Sequence, residues 1–349
     1  MNYSYFLGSN SKDGFYSIYN SFPPEKVDFL HIIKGGPGSG KSSFMRKIAL
    51  KAEEHGYIVH YILCSGDPGS LDGVYIPEMN LAFVDGTSPH PREPKIYGVD
   101  SDYIHLGQFF IGTLSDSEKS NVERCTVGYR AKYAEAYHLL SSAVSIREAV
   151  LPEMYGEKEQ LAVQQRIDGI LGRNYAKHEN SEAHISKRFL SCVGCYGDYR
   201  LNTEFEKLCG LVYQFDNQFG GADMALKYAA KCGAERGNEM ILCPNPITPE
   251  KLSAVIFPER SIGFTDGSWE LPISRHLHID NILPTELCSV VRPQLREAEK
   301  IQKKIMELAY KKLAEAKDLH DLLESQYKPH IDFDALTEYT GKCMNEYFS

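Results

Sequence analysis

The chain has 349 residues, a formal net charge of −9 and 42% hydrophobic residues, which is enough to build two separate cores and excludes a disordered polymer. The acidic balance gives no global basic field, so nucleic acid is a minor hypothesis, and no apolar run reaches membrane-spanning length. Met1–Tyr5 lacks a charged segment leading into an apolar core, and the nine cysteines are scattered; together these predict a cytoplasmic protein with reduced thiols and no membrane partner.

In chain order, the first informative segment is Phe29-Leu30-His31-Ile32-Ile33, an apolar run that reads as a buried strand. Gly35-Gly36-Pro37-Gly38-Ser39-Gly40-Lys41-Ser42 follows, a complete G-x-x-x-x-G-K-[ST] phosphate loop, with Ser43 immediately after it. Phe44, Ile48 and Ala52 then recur at helical spacing up to Gly56, which suits a helix C′ position. A Gly-rich loop between a strand and a helix can turn successive N–H groups toward phosphate oxygens. The helix N-terminus adds partial positive charge, Lys41 a full one, and Ser42 a hydroxyl for Mg²⁺. The motif therefore predicts ATP and Mg²⁺ as ligands.

A strand expected over Tyr57–Cys64 leads to Asp67, which could orient water or accept a proton but also begins the good turn sequence Asp67-Pro68-Gly69-Ser70. Leu81-Ala82-Phe83-Val84 reads as another strand. It ends in Asp85, the position of a metal-holding acid, or else of a turn-initiating one before Gly86. Because Gly86 follows, a water-activating glutamate at that position is absent. His90 reads as a loop residue, and Arg124, Arg130 and Arg147 are candidates for neutralising phosphate charge among which spacing does not choose. Cys192-x-x-Cys195 is a weak metal or redox signal without a second pair.

Internal similarity organises the rest. Ile76-Pro77-Glu78 and Phe83-Val84-Asp85-Gly86 recur as Phe257-Pro258-Glu259 and Phe264-Thr265-Asp266-Gly267, and 258 − 77 and 266 − 85 both equal 181. Gly56 and Gly237 keep the same offset. It places Asp216-Asn217-Gln218-Phe219-Gly220-Gly221-Ala222-Asp223 opposite the phosphate loop, with Ala222 for Lys41 and Asp223 for Ser42. Two carboxylates, Asp216 and Asp223, would then repel a polyanion, and one working site per chain is expected. Ser88 and His90 fall opposite Trp269 and Leu271, so they are expected to serve the intact copy alone. Each copy ends in helical segments: around Ser115–Val150 and Glu157–Leu171 in the first, and from Pro293 to Tyr327, then after a cap at Asp332 or Asp334, in the second. Each pair reads as a helical hairpin packed on its own domain.

The segments Lys34–Ser42, Cys64–Val74, Ile76-Pro77-Glu78 and Val84–His90 resemble those of an uncharacterised bacterial family of duplicated P-loop ATPases, sometimes labelled nucleotide-kinase-like. The resemblance spans nearly the whole chain and implies ATP binding, with little more about function; it departs from the family in the second loop. The expected fold is α/β: two tandem P-loop NTPase-like domains, residues 1–187 and 188–349. Each would be a three-layer α/β/α unit with a mostly parallel sheet and a following hairpin. An Mg²⁺-dependent ATPase or ATP-operated switch is the first functional reading, with Lys41 and Asp67 in catalytic roles and Ser42 and Asp85 on the metal. A kinase acting on a small-molecule or nucleotide acceptor and a non-catalytic ATP-sensing scaffold with a protein partner are the alternatives.

Overall fold

A computed structural model describes residues 1–23, 27–174, 182–272 and 274–348. The first half runs β1 (Tyr3–Phe6), β2 (Gly8–Ser11), β3 (Gly14–Ser17), β4 (Phe29–Lys34), α1 (Lys41–Glu54), β5 (His60–Leu63), β6 (Leu71–Ile76), β7 (Leu81–Asp85), β8 (Ser101–His105), α2 (Asp116–Val150) and α3 (Glu157–Asn174). The second runs β9 (Ile185–Lys187), β10 (Ser191–Gly194), β11 (Gly197–Arg200), α4 (Asn202–Leu208), β12 (Leu211–Phe215), α5 (Ala222–Glu235), β13 (Met240–Pro244), β14 (Leu252–Phe257), β15 (Ile262–Thr265), β16 (Ser274–Leu277), α6 (Thr285–Tyr327) and α7 (Phe333–Tyr347).

Both halves build the same mixed six-stranded sheet. Its order is β1-β5-β6-β7-β4-β8 in one and β9-β13-β14-β15-β12-β16 in the other; β6 and β14 run antiparallel to both neighbours and the remaining pairs are parallel. Local chemistry repeats with it. Gly56 (φ 84°) and Gly237 (φ 68°) adopt left-handed backbone just after α1 and α5, and Asn80 (φ 47°) and Ser261 (φ 53°), again 181 apart, turn the chain into β7 and β15. β9 pairs with β13, so the second sheet begins at Ile185. The junction is expected near residues 180–188, of which 180 and 181 lie outside the described residues.

The layering differs from three-layer α/β/α units. Alternate strand residues point to opposite faces. On the outer faces, Ile33, Val74, Ile76 and Phe83 of the first sheet meet α1, and Val255, Phe257 and Phe264 of the second meet α5. On the inner faces, Ile32, Ile62, Tyr75 and Val84 share one core with Val212, Ile241, Ala254 and Ile256, with Phe22, Phe189 and Phe205 filling between. Phe6 and Phe189 exchange both backbone hydrogen bonds, at 2.8 and 2.9 Å, across this junction. The order of layers is therefore helix, sheet, sheet, helix, because both faces of each sheet are apolar and one is covered by the other copy.

The expected hairpins are replaced by an exchange. The helices α2 and α6 lie antiparallel against each other, Asn121 meeting Gln326, Lys132 meeting Glu315 and Arg147 meeting Glu299. Each long helix delivers its successor to the opposite half. α3 packs on α5, burying Val163, Ile167 and Leu171 in the second core, and α7 packs on α1, burying Leu336 and Cys343 in the first. α6 also begins at Thr285, ahead of the expected Pro293, because Cys288, Val291 and Leu295 are buried in the second core and hold the proline inside the helix. Asp332 is the cap of α7, accepting from the Ala335 N–H at 2.9 Å.

Candidate nucleotide site

The loop Gly35–Ser42 joins β4 to α1. Gly38 (φ 72°) and Gly40 (φ 84°) hold it in left-handed backbone, and Gly40 is the N-cap of α1, which leaves the helix N-terminus facing the loop. The Lys41 ammonium folds back onto the loop, donating to the carbonyls of Gly35 (3.0 Å) and Gly36 (3.2 Å), and lies 3.7 Å from Asp85 Oδ2. Ser42 Oγ accepts the Leu71 N–H at 2.9 Å, and Ser39 Oγ is buried, 2% exposed, with no hydrogen-bond partner. A buried hydroxyl without a partner is a cost that a ligand can relieve.

The aspartates divide. β7 runs parallel to β4 with Asp85 opposite Ile33, so its carboxylate lies beside the loop. Oδ1 accepts from the N–H (2.9 Å) and hydroxyl (2.7 Å) of Thr87, while Oδ2 faces Lys41. Asp266 makes the same pair of bonds to Ser268, at 3.1 and 2.5 Å. One carboxylate oxygen thus shapes the turn in both halves, and in the first the other lies 3.7 Å from the Lys41 ammonium. Mg²⁺ is commonly held by one or two protein oxygens together with substrate phosphates, and Asp85 Oδ2 and Ser42 Oγ suit that sparse donor set. Asp67 is tied down instead: Oδ1 accepts from the Gly69 N–H at 3.1 Å, closing the turn, and Oδ2 pairs with Lys317 of α6 at 3.3 Å.

Sequence reasoning missed Asp72. It sits on β6, 6% exposed, and its Oδ2 accepts the Tyr19 hydroxyl at 2.7 Å and lies 3.4 Å from His90 Nε2. His90 lies in the loop after β7, as expected, but is buried there: its ring stacks on Tyr19 at 4.2 Å and its Nδ1 is 2.9 Å from the Asp85 carbonyl. Burial works to lower the His90 pKa, but the Asp72 carboxylate outweighs it and holds the imidazole above its ordinary range. Burial likewise opposes the Asp72 charge, yet the bonds from His90, Tyr19 and Cys64 keep that carboxyl below its ordinary range. The Cys64 thiol is pushed well up by burial and by Asp72. Comparing the copies carries the signal: the offset places Ser253 opposite Asp72 and Leu271 opposite His90, so this network braces the Asp85 turn only in the half whose loop carries Lys41 and Ser42.

The second loop is closed. Gly221, opposite Gly40, is right-handed (φ −77°). The Arg147 guanidinium, considered above for phosphate, is instead sent by α2 to this loop, where it donates to the carbonyls of Asn217 (2.8 Å) and Gln218 (2.9 Å). Arg124 bonds Asn121 on its own helix. Leu151 and Tyr155 pack on Gly220 and Gly221 so closely that an added Cβ would approach them at 3.0 and 2.5 Å. The two carboxylates are not aimed at a ligand: Asp216 pairs with His278, and Asp223 accepts the Leu252 N–H at 2.8 Å, as Ser42 does for Leu71, while pairing with Lys227.

No protein-family model, curated protein or solved structure matches the chain. Among the described residues no group of three or more His, Cys, Asp or Glu is arranged around a metal position, and Cys192 and Cys195 are both free thiols. None of the helices among those residues is long and apolar enough to cross a membrane.

Proposed function

We propose that the chain binds one nucleoside triphosphate, with ATP favoured and Mg²⁺ as its metal, on Gly35–Ser42, and acts as an ATPase or ATP-operated switch. The supporting observation is the asymmetry between otherwise matching halves: glycine backbone, Lys41, the Asp85 oxygen facing it and the Asp72–His90 brace occur together at one loop, and Arg147 closes the other. In this reading Lys41 leaves the Gly35 and Gly36 carbonyls to meet the phosphates, and the N–H groups at the start of α1 bind their oxygens. Ser42 and Asp85 orient the metal, which neutralises phosphate charge. Asp67 is committed to its turn and to Lys317, which disfavours the expected catalytic role of orienting water or accepting a proton. The switch reading gains from the end of α6, where Glu324 and the C-cap residue Lys328 lie against Gly38.

The test is a titration with a slowly hydrolysed ATP analogue and Mg²⁺. One nucleotide per chain is expected, lost in Lys41→Ala; two equivalent sites, or binding that survives Lys41→Ala, would refute it. Steady phosphate release from ATP alone supports the ATPase over the pure switch.

A further inference from the structure

A cavity of about 430 Å³ opens beside the loop, walled by Gly35–Pro37 and Ser39 on one side, by His105, Gly107 and Phe110 after β8, and by Tyr327 and Ile331 where α6 ends. We propose that it is a purine-stacking subsite, which takes the base of the nucleotide whose phosphates lie on the loop, so that the second half supplies one wall of the ligand site. The inference rests on the phosphate-loop reading above.

The volume falls within the range of about 300 to 1,000 Å³ usual for small-molecule pockets. The walls carry aromatic rings and no carboxylate, which suits an uncharged π-system. The Phe110 ring lies 6.2 Å from that of Tyr327 and 5.6 Å from that of His330. Ser39 lines the cavity with its Oγ buried and unpartnered, and His105 offers a ring nitrogen at the cavity wall. The wall is packed closely enough to require glycine: a Cβ on Gly35 would lie 2.4 Å from Ser39 Oγ, and one on Gly107 would lie 3.2 Å from the His105 ring. The far wall is stitched in place, since Ile111 donates to the His330 carbonyl (2.7 Å), Asp332 to that of Phe109 (2.9 Å), and His330 pairs with Glu118 at 2.9 Å. At the second loop Leu151 and Tyr155 lie against Gly220 and Gly221.

The experiment compares two probes on the full chain by calorimetry with Mg²⁺: a slowly hydrolysed ATP analogue, and inorganic tripolyphosphate, which has no base. Tyr327→Leu keeps apolar volume but removes one ring, and Phe110→Ala removes the ring that meets it at 66°; melting curves confirm that each is folded. Each is expected to weaken the ATP analogue about tenfold or more, the scale of losing one base–aromatic stack, and to leave tripolyphosphate within about twofold of the parent. Tyr327→Phe should bind both probes like the parent, and a uridine analogue should bind the parent more weakly than the adenosine one. Parent-like binding of the ATP analogue by folded Tyr327→Leu and Phe110→Ala, or equal loss of both probes, overturns the subsite while leaving the loop. A parent that binds neither probe overturns the loop reading first.

Discussion

Leu336 tests the helix exchange and its grip on the loop together. It lies on α7, 6% exposed, and an added Cβ on Gly40 would come within 2.8 Å of its Cδ2. In Leu336→Ala the full apolar transfer is lost and a cavity opens between α7, α1 and the loop. Because α7 is near the chain end and can settle toward α1, the lower part of the Leu→Ala range applies, about 3 kcal/mol. With an unfolding entropy of about 2.1 cal/mol/K per residue, that lowers Tm by roughly 4 °C if the 349 residues unfold together, and by about twice as much if the first half unfolds alone. Calorimetry measures the shift, and hydrogen exchange locates it. Amides of α1 and of the loop should lose protection while those of α5 keep theirs, although Leu336 belongs by sequence to the second half. Protection lost on α5 and kept on α1 would show that α7 stays with its own copy, and the exchange would be wrong.

Asp72→Asn removes the carboxylate facing buried His90 and should cost about 3 kcal/mol by urea unfolding at pH 6. In the parent, the depressed Asp72 contributes stability that is present above about pH 4 and lost on acidification, whereas the raised His90 contributes stability that is present below about pH 6.5 and lost as pH rises through its folded-state value. The alkaline loss should vanish in His90→Gln; a profile identical to the parent's refutes the pairing. Asp85→Asn keeps an oxygen for Thr87 but removes the charge, so it should weaken Mg²⁺-dependent nucleotide binding more than metal-free binding, and equal losses would mark Asp85 as a turn residue only. Ala222→Lys with Asp223→Ser should still bind one nucleotide per chain, since Arg147 holds the carbonyls of the second loop; a second equivalent in the same titration would refute that closure.

The duplication, the loop, the Gly56 terminus and the Asp332 cap were legible because each rests on local chemistry: a spacing, a left-handed glycine or an oxygen three residues before an N–H. The exchange was not. The apolar face of α6 that carries Leu313 and Leu323 announces burial without naming the surface that covers it, and the same holds for the inner faces of the sheets, where Ile32 and Ile256 would look alike under a helix or under another sheet. Asp72 was hidden because a single acid between Leu71 and Gly73 carries no spacing signal of its own. Arg147 could be placed on a helix from sequence, but which loop that helix reaches depends on thirty-five residues of α2 carrying it into the other half.

The crossing of α3 and α7 has a consequence for how such a chain could arise. A lone copy of the repeat would expose the outer surface of its first helix and extend its last one into solvent, and the arrangement that satisfies both is a closed twofold pair in which each member lends the other its tail. Joining two copies end to end makes that pairing internal and independent of concentration. It also breaks the equality of the members, so that one loop can be surrendered to an arginine while its scaffold goes on holding the other copy's helix in place.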